Sequence, residues 1–146
     1  MQIWHGTHEV PTELSGTVVT IGNFDGVDLG HQHVLREARR TADRLGIDTV
    51  VAVTFDPHPM AVLRPDHAPV TLTSIETRTR LLGEAGVDAI FVIAFSREIA
   101  AWSPEEFIDR VLCEALRARG VVVGANFRFG SKAAGDVATL GAVGAE

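Results

Sequence analysis

The stretch 18-VVTIGNFDGVDLGHQHVLREA-38 decides the fold of this chain. It opens with the apolar, β-branched run 18–21, which predicts a buried strand. It then passes through a loop whose glycines, Gly22 and Gly26, let the backbone turn and approach a ligand closely. Beyond Gly30 the spacing predicts a helix whose apolar positions share one face: Val34, Leu35, Ala38, Ala42 and Leu45.

A strand, a glycine-bearing loop and a helix N-terminus in succession predict a phosphate-binding site. The first N–H groups of a helix have no partner within the helix, and the positive end of the helix dipole lies beside them. His31 falls in the first turn of the predicted helix, where its ring can donate a hydrogen bond to a phosphate.

Strands and helices alternate along the rest of the chain. The apolar runs 49–55, 87–95 and 121–123 predict three more strands, and helices are predicted between them, beginning at Ser74 or Ile75 and at Ser103-Pro104. This order predicts an α/β fold, a Rossmann-like doubly wound parallel sheet with helices on both faces. The three helices are predicted to end at glycines: Gly46, Gly86 and Gly120.

The amino-terminal segment and the third helix complete the predicted core. Residues 1–16 are predicted to be irregular, with Trp4 and Val10 packing on the core. Cys113 is expected to be a small apolar residue of the third helix. The inward positions of that helix are Phe107, Ile108, Val111, Leu112 and Leu116.

Composition restricts the class of protein. A chain of 146 residues with 46% apolar and 22% charged residues predicts one globular domain. The formal charge of −6 argues against a nucleic-acid or anionic-membrane surface, and a single cysteine excludes a disulfide within the chain. No apolar run is long enough for a bilayer and no secretory signal is visible, so a cytoplasmic location is the default expectation.

Three unusual segments, 22–31, 56–59 and 124–136, each follow a predicted strand, which places them at one crevice beyond the carboxyl ends of the strands. Taken alone, 56–59 (DPHP) also fits a stiff exposed corner, and 124–136 a glycine-rich surface loop. A P-loop is excluded because Lys132 does not directly follow Gly130. A dinucleotide-binding GxGxxG is absent after the first strand, which argues against an NAD-type dehydrogenase.

Four blocks of the sequence resemble a known family. GNFDGVDLGH (22–31) is similar to the nucleotide-binding signature of the nucleotidyltransferase superfamily. TFDPHP, the segment 72–95 with SPEEFI after it, and VVGANFRFGSKAAGD (122–136) resemble further blocks of the amino-terminal FMN adenylyltransferase module of bacterial bifunctional riboflavin kinase/FAD synthetase. The resemblance implies that ATP and FMN are the partners, with FAD and pyrophosphate as products, and Mg²⁺ carried on the nucleotide.

The resemblance also implies roles for individual residues. Catalytic roles fall to His31, Asn126 and Asp28, with Asn126 between the two substrates. The ATP side comprises His31 and the backbone around Gly22, Phe24, Asp25, Gly26 and Gly30. The flavin side comprises Pro57, His58, Pro59, Leu63, Phe107, Asn126 and Phe129. No residue is expected to hold a resident metal, and the other histidines are expected to be exposed: His5, His8, His33 and His67.

The sequence departs from the family in two places. Asp28 stands where the family has its first histidine, and an ionised carboxylate repels a phosphate oxygen unless Mg²⁺ lies between them. A slower enzyme is therefore expected. Residues 1–146 are expected to be an adenylyltransferase domain incomplete at its carboxyl end, without a riboflavin kinase domain. Two alternatives are a nucleotidyltransferase with another phosphate-bearing substrate and a flavin- or nucleotide-binding module without turnover.

Overall fold

The computed structural model describes residues 2–11, 14, 16–22, 24, 29–56, 74–94 and 96–123. Within these residues one five-stranded sheet is formed by β1 (Gln2–Trp4), β2 (Thr17–Ile21), β3 (Val50–Phe55), β4 (Ala89–Ile93) and β5 (Ala118–Val122). The helices are α1 (Leu29–Leu45), α2 (Ile75–Glu84), α3 (Arg97–Ala100) and α4 (Pro104–Phe107). A π-helical segment, Ile108–Ala115, follows α4 directly, and a 3₁₀ turn covers Thr7–Glu9.

Helices cover both faces of the sheet, as the strand–helix alternation predicts. Side chains of successive strand residues point to opposite faces, so β2, β3 and β4 each contribute to two cores. The α1 face buries helix residues Leu35, Ala38, Ala42 and Leu82 against Val18, Val50, Ala52, Ile90 and Val92. The α4 face buries Phe107, Ile108, Val111, Leu112 and Leu116 against Val19, Ile21, Val51, Val53, Phe91 and Ile93.

The strand order, β1-β4-β3-β2-β5, creates a switch point beside β2. From β2 the chain runs outward through β3 to β4, and it then returns to the opposite side of β2 as β5. All the pairs are parallel, so the carboxyl ends of β3, β2 and β5 lie side by side at one edge. Open α/β sheets bind ligands at such an edge, beside the switch point.

Capping side chains begin the helices where the sequence predicts. Ser74 Oγ accepts a hydrogen bond from the Thr77 N–H at 3.1 Å. Ser103 Oγ accepts one from the Glu106 N–H at 3.1 Å, while the Glu106 carboxylate reaches back to the Ser103 N–H at 3.5 Å. The second pair is a capping box, which satisfies N–H groups that a helix leaves without partners.

The amino-terminal segment corrects one prediction. Residues 1–16 are predicted to be irregular, but Gln2–Trp4 forms β1 and pairs with Ala89–Phe91 of β4 in parallel. Three residues are too few to show the alternating pattern of a strand, so the sequence does not predict β1. Its pairing with β4 identifies it as a strand. Trp4 and Val10 are buried on the α4 face, as predicted.

The end of the third predicted helix corrects a second prediction. Gly46 and Gly86 have positive φ angles of 70° and 104° and end their helices as predicted. Gly120 does not, because it lies inside β5, paired with Val18 of β2. The helical segment ends at Ala115, and Arg117 takes the left-handed conformation, with φ of 50°. At Gly120 a Cβ would lie 3.4 Å from Leu45 and Thr41 side-chain atoms, which is ordinary contact.

The two classes of glycine are expected to respond differently to alanine. Gly86→Ala should lower the free energy of unfolding by about 1–2 kcal/mol, because an L-residue is strained at positive φ. Nothing lies within 4 Å of a Cβ there, so the backbone alone causes the loss. Gly120→Ala should cause no loss, because Gly120 lies in a strand and its φ is not in the left-handed region. Urea unfolding of both variants tests this, and an equal loss at both positions would contradict it.

Two apolar positions are more exposed than predicted. Leu45, the last residue of α1, is 45% exposed and lies beyond the buried stripe of that helix. Cys113 is exposed instead of packing inward. The thiol is still partly buried, and this burial is the largest cause that raises its pKa above the ordinary value. The nearby carboxylates of Asp109 and Glu114 raise the pKa further. The thiolate is therefore scarce at neutral pH, so Cys113 is not an activated nucleophile.

Candidate functional site

The candidate site begins where β2 and β3 end. The Gly22 N–H donates to the Val53 carbonyl at 3.0 Å, and the Asp56 N–H donates to the Ile93 carbonyl at 3.0 Å. Both bonds extend the sheet one residue beyond its last paired positions. The segments after β2, β3 and β5 consequently leave from three adjacent strands, as the prediction of a common crevice requires.

Phe24 connects the end of β2 to the start of α1. Its φ of 54° is left-handed, which is uncommon for a non-glycine residue and is found at functional sites. Its ring is 2% exposed and meets the His31 ring edge to face, with 5.2 Å between the ring centres and 72° between the planes. A Cβ on Gly22 would lie 3.3 Å from the Phe24 Cζ, so glycine lets the ring lie close over the backbone.

The first turn of α1 can bind an anion. His31 is the third residue of this 17-residue helix, and it is partly buried against Phe24. Within α1 itself, the first turn carries no acidic side chain. Backbone N–H groups and an imidazole donor thus lie together beside the switch point, an arrangement that suits a phosphate.

The structure places five of the predicted site residues. Gly22, Phe24, Gly30 and His31 are brought together between β2 and α1. Phe107 is only 3% exposed, within the core of the α4 face. The others lie outside the described residues and stay predictions: Asp25, Gly26, Asp28, Pro57, His58, Pro59, Leu63, Asn126 and Phe129. His5, His8 and His33 are exposed as predicted, and His67 is outside the described residues.

An apolar cavity of about 390 Å³, which the sequence does not predict, lies beyond the carboxyl ends of β3 and β4. It is on the α4 face, where Phe91 and Val111 belong to the same core as Phe107. Among the described residues that line it, Asp56 is the one that carries a carboxylate. An apolar wall with a few polar groups suits an aromatic ligand. The cavity is lined by His5, Gly6, Asp56, Phe91, Val92, Ile93, Ala94, Ile99, Trp102 and Val111.

Arg78 is a residue that the sequence reasoning missed. It is 4% exposed and shares the buried stripe of α2 with Ile75, Thr79 and Leu82. Its Nη1 donates to the Thr54 hydroxyl at 3.2 Å and to the Phe55 carbonyl at 3.0 Å, at the end of β3. The sequence does contain one signal for it. Arg78 falls on the inward, apolar face of an amphipathic helix, where an arginine is seldom fully buried.

The described residues offer neither a metal-binding cluster nor a membrane-spanning helix. Among them, no group of three or more His, Cys, Asp or Glu side chains is arranged to hold a metal ion. Among their helices, none is long and apolar enough to cross a bilayer.

Comparison with known proteins extends the likeness over most of the chain. The family described as FAD synthetase matches residues 10–146. The chain is 38% identical over 136 residues to the bifunctional riboflavin kinase/FMN adenylyltransferase of Pseudomonas fluorescens, covering 93% of this chain and 43% of that protein. The corresponding Escherichia coli K12 protein is 36% identical over 142 residues, covering 97% of this chain and 44% of the relative.

A solved structure shares the fold. A chain described as a macrolide-efflux protein from Streptococcus pneumoniae superposes with a TM-score of 0.81 and 27% identity, over 96% of this chain and 45% of that one. The present chain therefore spans less than half the length of these relatives.

Proposed function

The chain belongs to the FAD synthetase family, and from this premise we propose that it transfers AMP from ATP to FMN. An oxygen of the FMN phosphate attacks the α-phosphorus of ATP, a new P–O bond forms, and the bond to the β-phosphate oxygen breaks. FAD and pyrophosphate leave. The relatives carry FMN adenylyltransferase in their names, and the resemblance of the four sequence blocks points to the same substrates.

The contact between Phe24 and His31 at the end of β2 gives this proposal its most direct support. Transfer between two phosphates needs few covalent steps from the protein, so catalysis depends on positioning and on donors placed where charge develops. His31 and the N–H groups of the first turn of α1 would bind the ATP phosphates. Mg²⁺ would arrive on the triphosphate as part of the nucleotide substrate.

The flavin would bind on the side of β3 that faces β4, away from β2 and the ATP phosphates. Pro57, His58, Pro59 and Leu63 follow that strand in the sequence, and the apolar cavity beside Asp56 lies at the same edge. Phe107, from the core of that face, would support the ring. Asn126 and Phe129, which follow β5, would approach from the far side of β2. Asn126 would bridge the two substrates, and Phe129 would line the flavin pocket.

One residue favours a second candidate function. Asp28 replaces a phosphate-binding histidine of the family with a carboxylate, three residues before His31. A charge that repels ATP phosphates would leave flavin binding intact while slowing transfer. The second candidate is therefore a flavin- or nucleotide-binding module without turnover.

Binding and product analysis together separate the candidates. FMN fluorescence titration, without ATP and with a non-hydrolysable analogue, measures binding, and chromatography after incubation with FMN and MgATP measures FAD. FAD formation supports the transferase, and binding without FAD supports the module. With FMN replaced by riboflavin, which has no phosphate, no dinucleotide is expected. Failure to bind FMN at all would contradict both the transferase and a flavin-binding module.

A further inference from the structure

The apolar cavity beyond β3 and β4 has a tryptophan in its wall. Trp102 is half-buried, and it packs against the core of the α4 face where it borders this cavity of about 390 Å³. The buried side chains that line the cavity include Phe91, Ile93 and Val111. Ligand pockets usually enclose about 300–1,000 Å³ between apolar and aromatic side chains. A flat aromatic ring therefore suits this cavity.

The backbone at Trp102 is held between two capped helices. Ser96 Oγ accepts a hydrogen bond from the Ile99 N–H at 3.3 Å and caps α3. The Trp102 N–H donates to the Ile99 carbonyl at 3.1 Å. The capping box of Ser103 and Glu106 begins α4 at the next residue. The indole is thus attached to a backbone whose position is set before a ligand arrives.

Arg110 covers the indole from a second cavity, which Val10 and Glu114 also line. Its guanidinium carbon lies over the Trp102 ring, 5.1 Å from the ring centre, which is a cation–π distance. Trp102 borders both cavities, whereas Arg110 lines only the second of the two. The guanidinium therefore supports the indole from outside the apolar cavity and leaves that cavity to the rest of the ring.

The ion pair that Arg110 forms does not explain this placement. Its Nη2 lies 3.8 Å from a Glu106 carboxylate oxygen one turn earlier, and both side chains are exposed. Exposed pairs of this kind add little to stability. Arg80 forms an equivalent pair with Glu84 on α2, with the same spacing and the same distance. Among the described arginines, Arg110 is the one whose guanidinium lies over an aromatic ring.

We propose that Trp102 is a specificity-determining residue for FMN, whose isoalloxazine ring stacks on the indole in the apolar cavity, and that Arg110 is a positioning residue that holds the indole there. The inference rests on the proposed function, which places the flavin beside this cavity. The isoalloxazine ring is flat and electron-poor, so an electron-rich indole is a favourable stacking partner. Arg110 acts on the substrate through the ring that it covers.

The first test replaces Trp102 by alanine and by phenylalanine. Trp102→Ala should raise the FMN dissociation constant about tenfold or more, which is the usual effect of losing one stacked aromatic partner. The constant for riboflavin should rise by the same factor, because the phosphate takes no part in the stacking. Trp102→Phe keeps a ring and should raise both constants by less. The ATP constant should stay within about twofold, because the ATP side lies between β2 and α1.

Flavin fluorescence reports the stacking itself. An indole in contact with an excited flavin quenches its emission by electron transfer, whereas a phenylalanine ring does not. At saturation, the emission of bound FMN should be low in the parent and several-fold higher in Trp102→Phe. Trp4→Phe is the matched control. Trp4 is the other tryptophan of the chain, and it is buried in the same core without lining this cavity, so its replacement should leave the emission low.

Arg110→Gln tests the support of the indole, with Arg80→Gln as the matched control. Glutamine removes the cation, so the FMN dissociation constant should rise about two- to fivefold, as the loss of one exposed cation–π contact predicts. Arg110→Lys keeps a cation and should recover part of the affinity. Arg80→Gln breaks an ion pair of the same geometry and should leave FMN binding unchanged.

The outcomes separate this inference from the proposed function. If the parent forms FAD and Trp102→Ala binds FMN as tightly as the parent, the transferase stands and the stacking role is overturned. A parallel rise of the FMN and ATP constants in Trp102→Ala would overturn it as well, because that pattern indicates a general loss of structure. Equal effects of Arg110→Gln and Arg80→Gln would remove the positioning role of Arg110. A parent that binds no FMN would contradict the proposed function and this inference together.

Discussion

Alanine in place of His31 is expected to slow FAD formation by about a hundredfold or more, which is the usual effect of removing one preorganised donor to a developing charge. The His31 ring lies in the first turn of α1 and is held edge to face by Phe24, 5.2 Å away. Its position there is set before the substrate arrives, so the loss should fall on turnover more than on FMN binding. Initial rates at saturating FMN and MgATP measure it.

His33→Ala is the matched control for this variant. His33 lies two residues along the same helix, and it is exposed. Positions two apart on a helix do not share a face, so alanine at 33 should leave the rate within about twofold of the parent. Equal losses at both positions, or no loss at 31, would remove His31 from the phosphate site.

Histidine in place of Asp28 is expected to raise the rate of FAD formation by about tenfold to a hundredfold. An ionised carboxylate has no proton to donate and repels phosphate oxygens, whereas histidine can supply a hydrogen bond. A charged hydrogen bond is worth about 1.5–3 kcal/mol, and each 1.4 kcal/mol changes a rate about tenfold. The comparison is made at saturating ATP and Mg²⁺.

Asp28→Asn separates repulsion from the missing donor. Asparagine removes the negative charge and has nearly the same shape, so it should recover part of the gain if repulsion is the main defect. If Asp28 instead holds Mg²⁺ against the phosphates, asparagine should slow the reaction and raise the Mg²⁺ concentration needed. An Asp28→His variant no faster than the parent would show that Asp28 is not a defect.

Local sequence determined the elements whose signals are contained within a few residues. The apolar stripe of α1 predicted its buried positions Leu35, Ala38 and Ala42, because helix periodicity fixes which side chains share a face. Ser74 and Ser103 predicted helix starts, since a capping hydroxyl needs only the N–H groups of the next turn. The segment 18–31 likewise predicted a strand, a close-approach loop and a helix N-terminus.

Tertiary structure decided what depends on a distant partner. The three residues of β1 become a strand only because β4 offers a free edge to pair with. Gly120 belongs to a strand because β2 pairs with it, although its place after a helical pattern predicts a helix end. Arg78 follows the same rule, since its helical pattern shows an inward arginine but its acceptors lie on β3, more than twenty residues earlier in the chain. The periodicity of a segment shows which of its side chains face the core. Strand pairing and long-range hydrogen bonds depend instead on which other segment of the chain lies beside it.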